Sequence, residues 1–290
     1  MNIGSQMLVA FAAICWGVVG IWSRQLTATG LTYPEMVAIR GAATAIFLFI
    51  FLFITDRNQM KVKIKDLGVF ICMGGLGVAA GMMCYFHTME KTTLSTASIL
   101  LYTSPYMVML MSAIIFKEKI TLQKFGALLI AFSGCVMTIG LVEHANLPLS
   151  GVITGLTAAF FYSTYTIFGK IAMRKYSPLT TSAYTYGIAL LIFLPFCDPV
   201  KMVTIACADS ANLVNILCFG VLCTLLPVVC YMTGLKRLEP SRVAIIAFLE
   251  PLTAAIAGVM VYNELLSVMK IAGIAMIFAA LIILNWRTSR

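Results

Sequence analysis

Charge is what this sequence has least of. Asp, Glu, Lys and Arg supply 11% of its 290 residues, and 61% are hydrophobic. Soluble domains carry about 25% charged residues. A chain this poor in polar groups cannot cover a water-exposed surface, which excludes a soluble globular fold and leaves the bilayer as solvent. The signatures of several soluble chemistries are absent as well. No GxxxxGK[ST] segment is present to cradle ATP phosphates, no HExxH pair to hold zinc, and no GxSxG nucleophile turn. The nine cysteines form no CxxC, and nearly all sit inside apolar runs, where cysteine behaves as a small hydrophobe. They are read as neither a disulfide framework nor a metal site. No cofactor is expected. Met1 to Met7 has no basic stretch, so no cleaved signal peptide is expected and the first apolar run is read as a span.

What is present is a series of long apolar runs. A bilayer core takes roughly 20 apolar residues per helix. Spans are expected near 6–24, 34–54, 67–88, 94–116, 122–141, 150–173, 178–197, 212–234, 242–262 and 268–286. The breaks between them carry polar or proline markers: Asp56-Arg57-Asn58, Lys117-Glu118-Lys119, His144 to Pro148, Ser177-Pro178 and Asp198-Pro199. The net charge of +9 would suggest nucleic acid in a soluble protein. Here the basic residues fall in short clusters between spans, so no nucleic-acid partner is expected and the partner is the lipid bilayer. With a cytoplasmic N-terminus, one face collects Arg57, Lys61, Lys63, Lys65, Lys117, Lys119, Lys124, Lys170, Arg174, Lys175, Lys236, Arg237, Arg242, Arg287 and Arg290. The other face has Arg24, Lys91, Lys201 and Lys270, and Arg40 lies within a span. Such asymmetry orients a membrane protein. It places both termini in the cytoplasm of a multi-pass protein of the plasma (inner) membrane.

The chain also matches itself at an offset of about 146 residues. Ala13 meets Ala159, Trp16 meets Tyr162, Arg24 meets Lys170, Tyr85 meets Tyr231, Lys91 meets Arg237, Ser95 meets Ser241, Pro105 meets Pro251 and Glu118 meets Glu264. A small gap follows the first helix of each half, since Pro34 matches Pro178. The division falls between residues 1–146 and 147–290. Five spans is an odd number, so the second half enters the membrane from the opposite side. The fold class expected is all-α integral membrane, ten helices in a 5+5 inverted-topology repeat around a central cavity. Two similar, inverted halves can exchange conformations, which is the structural basis of alternating access.

The sequence resembles the drug/metabolite transporter superfamily, specifically its ten-span EamA-type branch. The residues that carry the resemblance are Ala13-x-x-Trp16-Gly17, Pro34, Arg40, Tyr102-x-x-Pro105, Lys117-Glu118, Leu249-Glu250-Pro251, Asn263-Glu264 and Gly273. None is specific alone; their order, spacing and duplication are. The resemblance implies a cavity lined by the first, third, fourth, sixth, eighth and ninth helices. It also implies export of small metabolites, such as amino acids, or of drug-like compounds.

Pro105 and Pro251 fall near the centres of the fourth and ninth spans. Proline removes a backbone donor, and matched breaks at mid-membrane are expected hinges near a binding site. Glu250 stands beside Pro251 in an apolar helix. An acid there must be neutral, paired or facing water, so it is read either as a proton or cation site or as a structural pair. Its repeat partner is Ser104, which makes the site chemically lopsided. Trp16, Tyr85, Tyr102, Tyr162 and Tyr231 offer an apolar wall that attracts cations, and Ser98 lies one turn from Tyr102. These are the candidate substrate-binding residues. His87, near a span end, is a second proton-coupling candidate. Arg40 is read as pairing with Glu35 or snorkelling outward, with carboxylate binding as the alternative. Glu118 and Glu264 read as anchors at matched helix ends. Tyr33 reads as part of an interfacial aromatic belt. The small-xxx-small run Gly77 to Gly81 reads as a close-packing face.

The function expected is secondary transport of a small-molecule substrate, an exported metabolite such as an amino acid, with protons through Glu250 as one source of drive and uniport as another mode. The alternative is a multidrug or organic-cation exporter. An intramembrane enzyme is the least supported reading.

Overall fold

A computed structural model describes residues 2–140, 148–265 and 267–286. His144, the division at residue 146 and the basic residues Arg287 and Arg290 lie outside the described residues. Ten helices are long and apolar enough to cross a membrane: Ile3–Ala28, Tyr33–Thr55, Ile64–Lys91, Leu94–Phe116, Leu122–Ile139, Leu149–Ala172, Pro178–Phe196, Ser210–Arg237, Pro240–Tyr262 and Val268–Asn285. All ten expected spans are found, most ends within a few residues. The seventh and eighth are joined by a short helix, Pro199–Ala208, in the stretch between the expected spans.

Local chemistry explains where helices begin. Thr32 accepts from the Glu35 backbone N–H while Glu35 reaches back to the Thr32 N–H, a reciprocal cap with Pro34 in the first turn. Ser177 caps the seventh span in the same way as Thr121 caps the fifth and Ser267 the tenth. The last two are matched by the 146-residue offset. So are Lys117 and Asn263, the two non-glycine residues with left-handed backbone among those described, at φ 59° and 53°. Each ends the helix of its repeat. Asn tolerates that conformation and Lys does so at a cost.

Packing between the repeats is reciprocal. The first span packs on the eighth as the sixth packs on the third, and the first meets the ninth as the sixth meets the fourth. The second and seventh pair with each other, as do the fifth and tenth. Gly77 and Gly81 face the sixth span as expected of a close-packing stripe; a Cβ on Gly77 would lie 2.9 Å from the Tyr165 backbone.

Loop contacts separate two faces. On the lysine-rich face Lys175 pairs with Asp66 at 2.6 Å and Lys124 with Glu239 at 2.7 Å. On the lysine-poor face Lys201 pairs with Glu35 at 2.9 Å, and the Arg24 guanidinium sits 4.3 Å from the Tyr262 ring centre. The loop between the second and third spans therefore lies on one face. Its repeat counterpart, between the seventh and eighth, lies on the other. This arrangement is consistent with inversion of the second repeat. Ile46, Phe47, Ile50 and Ile54 form one exposed stripe of the second span, the kind of surface that lipid covers.

Five of the described spans are interrupted between their ends. The fourth divides into Leu94–Leu101 and Ser104–Phe116, the ninth into Pro240–Ile246 and Leu249–Tyr262. The breaks fall at Tyr102-Thr103 and Ala247-Phe248, just before the two prolines. Pro105 and Pro251 thus occupy the first turn of the second half-helix, where a missing N–H costs nothing. The third span carries a wide π-helical segment at Cys72–Ala80 and the eighth one at Val221–Leu225. Only the first span has an unmatched break: it divides at Val18, while the sixth runs unbroken over Leu149–Ala172.

Candidate functional site: a cavity open to one face

A cavity of about 590 Å³ enters the bundle from the lysine-poor face. Exposed side chains of Arg24, Tyr33 and Leu94 line its mouth, where Tyr33 stacks on Phe86 with ring centres 5.0 Å apart. Its walls come from the first four spans and the sixth, seventh and ninth. Six of the seven residues expected to bind substrate line it: Trp16, Tyr85, Ser98, Tyr102, Tyr162 and Glu250. The Tyr85 hydroxyl and Ser98 Oγ are hydrogen-bonded at 3.1 Å, joining the third and fourth spans.

Tyr231 is placed differently. It lies beneath the cavity, 5% exposed, with its hydroxyl 2.7 Å from Thr166 Oγ1 and its ring stacked against Tyr165 and tilted on Trp16. A separate void of only about 30 Å³ touches it, together with Tyr102, Ser104, Pro105 and Glu250. The eighth helix thus floors the site rather than lining it. The second and seventh helices, left out of the implied lining, contribute Arg40 and Tyr186. His87 is not among the lining residues; its side chain is 48% exposed with Nδ1 3.9 Å from Glu90.

Glu250 is held by the ninth-span break. It lies in the first turn of Leu249–Tyr262, where the helix dipole favours an acid, and its own N–H donates to Ala247 O at 2.9 Å. Gly17 lets the first span close on this point, since a Cβ there would lie 2.6 Å from the Glu250 carbonyl oxygen. The carboxylate faces Tyr102.

Arg40 departs from its expected pairing. Glu35 is engaged by Lys201 and by its own cap, so it is not the partner of Arg40. The Arg40 Nε instead donates to Thr224 Oγ1 at 3.0 Å, and its guanidinium sits 5.7 Å from the Phe219 ring centre.

On the opposite face the two repeats are joined, beside a recess of about 450 Å³ lined in part by Glu118, Lys124 and Glu239. Ser241 Oγ donates to Glu118 Oε2 at 2.8 Å, joining the two repeats. Lys124 bridges Glu239 and the Lys119 carbonyl, and Lys170 Nζ donates to the Leu235, Lys236 and Leu238 carbonyls. On the lysine-poor face the matched acid, Glu264, pairs within its own repeat with Lys270 at 2.9 Å and packs on Gly258. Ser112, the repeat counterpart of Gly258, has a buried hydroxyl with no hydrogen-bond partner among the described residues.

Comparison with known proteins agrees with this architecture. A solved structure titled "Crystal structure of protein" superposes with a TM-score of 0.77 at 14% identity, covering 97% of each chain. An uncharacterized transporter of Bacillus subtilis, YxxF, is 24% identical over 276 residues, 94% of this chain and 86% of that protein. The pseudopaline exporter CntI of Pseudomonas aeruginosa is 24% identical over 190 residues, 65% of this chain and 64% of that protein. The model of the EamA-like transporter family matches residues 4–140 and again 149–286. With the family model matching both halves of the chain and ten helices able to cross a membrane, the chain belongs to the EamA-like transporter family and is a multi-pass membrane transporter.

Proposed function

We propose that this transporter is a secondary carrier that exports a small metabolite, such as an amino acid, across the cell membrane by alternating access, with Glu250 as the proton or cation site. The observation that carries the reading is the cavity itself: it opens on one face and ends at Glu250 on a helix break, while the repeats are joined to each other on the other face. Both termini are taken as cytoplasmic from the basic residues of the lysine-rich face, so the structure is open outward. The export direction follows the pseudopaline exporter among its relatives.

The repeat specifies what the other state looks like. Glu264 exchanges Lys270 and Gly258 for Ser95, the counterpart of Ser241, and closes the outer face. Glu118 leaves Ser241 and turns back toward Ser112, whose unpartnered hydroxyl then donates to it. An organic-cation exporter is the second reading, favoured by the combination of Glu250 with Tyr85, Tyr102 and Tyr162.

The test is uptake of a labelled amino-acid mixture into proteoliposomes under an imposed pH gradient. The wild type should accumulate label and Glu250→Gln should not, with both proteins monodisperse. Equal, gradient-driven accumulation by the variant would remove Glu250 from coupling. Accumulation of labelled organic cations alone would select the second reading.

A further inference from the structure

The two repeats match closely in frame but not in charge. Glu250 stands opposite Ser104. With the gap that aligns Pro34 with Pro178, Arg40 stands opposite Tyr184. The two charged side chains deep in the cavity are thus both departures from the repeat, and they have opposite sign.

Arg40 is prepared to hold something. Its Nε edge is fixed by Thr224, which is fully buried and itself donates to the Phe219 carbonyl. One face of the guanidinium rests on the Phe219 ring. This leaves the edge bearing the two terminal nitrogens, which makes no hydrogen bond and has no carboxylate within 4 Å among the described residues. A half-buried guanidinium at this depth of a membrane protein without an acid must be met by water or a ligand, and its free edge matches a carboxylate geometrically. A second unsatisfied donor lies beside it: Trp16 lines both the cavity and the small void beneath it, and its indole N–H is buried with no acceptor among the described residues.

Glu250 is within electrostatic reach of Arg40 but not paired with it. At 1.5 Å per residue, Arg40 lies roughly 10 Å and Glu250 roughly 18 Å from the lysine-poor ends of their helices, before side-chain reach shortens the difference. Both side chains line the same cavity, at depths about 8 Å apart, so a small molecule carrying groups of both signs can span them.

We infer that Arg40 is the carboxylate-binding residue of the transport site, so that the substrate class is zwitterionic, its anionic group on Arg40 and its cationic nitrogen on Glu250. This rests on the carrier reading above and adds to it a second polar contact, which an organic-cation site has no use for.

The experiment measures thermal stabilisation of the purified full-length protein in detergent. The probes are the twenty α-amino acids, β-alanine and 4-aminobutyrate, alongside the amines left when their carboxylates are removed. Wild type should respond to a subset of zwitterions at concentrations at least tenfold below the matching amines. Arg40→Gln should erase that advantage while keeping the amine response, and Glu250→Gln should weaken both. If Arg40→Gln does not purify as a monodisperse protein, Arg40→Lys and Thr224→Val serve instead. The lysine keeps charge without the fork, and each should shrink the zwitterion advantage severalfold with the amine response intact. A wild-type response to amines alone, or a zwitterion advantage that survives in these variants, would overturn the assignment and leave the carrier reading in place. No response to any zwitterion or amine would instead count against the amino-acid reading itself and this assignment with it.

Discussion

The two faces of this transporter are built from matched residues that make different bonds. On the lysine-rich face Glu118 accepts from Ser241 of the other repeat; on the lysine-poor face its counterpart Glu264 stays within its own repeat, on Lys270. The same acid, at the same place in the repeat, closes one side and leaves the other open. One sequence pattern thus encodes both a joined and an open gate. The difference lies in which partner each glutamate takes and in a few unmatched neighbours: Glu239, which holds Lys124 on the lysine-rich face, has Thr93 as its counterpart, and Ser112 has Gly258. The floor between them is where the match fails, at Glu250 and Arg40.

The largest effect should come from removing that failure of symmetry. Glu250→Gln should abolish gradient-driven accumulation in proteoliposomes while preserving the fold, because Tyr102 and the ninth-span break remain. Next come the gates, where two substitutions should act in opposite directions. Ser241→Ala removes a part-buried hydrogen bond to an acid, worth roughly 1 kcal/mol, and should shift the population about fivefold toward the state open on the lysine-rich face. Ser112→Ala removes the partner that Glu118 gains only in that state, and it also relieves a buried unpaired hydroxyl. It should shift the population a few-fold the other way. Spin-label distance distributions on the lysine-rich face check both; shifts of the same sign would break the comparison.

The smallest effect concerns the clasp between the loops on the lysine-rich face. The hydrogen bond to Asp66 holds the Lys175 amine above the usual lysine value of 10.5. A raised lysine contributes stability below the unfolded value and loses it as pH rises through the folded one. Lys175→Met should therefore lower the melting temperature slightly at neutral pH, and the deficit should disappear well above pH 10.5. Lys175 is exposed, so a large deficit at neutral pH would mean that the clasp matters more than its geometry suggests.

Much of the frame was legible in the sequence because its signals are one-dimensional. Span length, charge alternation and the 146-residue match need no knowledge of which way a side chain points. They anticipated the ten spans and placed the breaks within a few residues of Pro105 and Pro251. Direction around a helix axis is the harder part. Tyr231 was expected to share a lining with Tyr85, its repeat partner, yet one faces the open cavity and the other its floor, because the bundle is open on one side only. The wide turns at Cys72–Ala80 and Val221–Leu225 also rotate downstream residues away from the ideal helical register, and they differ in length between the repeats. Tyr165 and Tyr186 gave no signal: each lies in a helix rich in Tyr and Thr where any face is equally polar. Tyr33 reads as an interfacial residue from its place at a helix end, and the cavity mouth lies at that depth. Of the readings open to Arg40, the pairing with Glu35 rests on nearness in sequence; only the fold shows that Lys201, from the short helix Pro199–Ala208, takes that acid. His87 shows the reverse, a titratable residue with a suitable sequence position and a place outside the cavity.

The most direct test of the exchange between faces is a pair of distance measurements on one protein by pulsed electron paramagnetic resonance. Labels at Lys119 and Lys236 report the lysine-rich face, and labels at Glu90 and Leu265 the lysine-poor face; all four positions are exposed. Alternating access gives two distances for each pair, with conditions that lengthen one pair shortening the other, for instance on protonation or Glu250→Gln. A single fixed distance in both pairs, or lengthening of both together, would contradict alternating access between these gates.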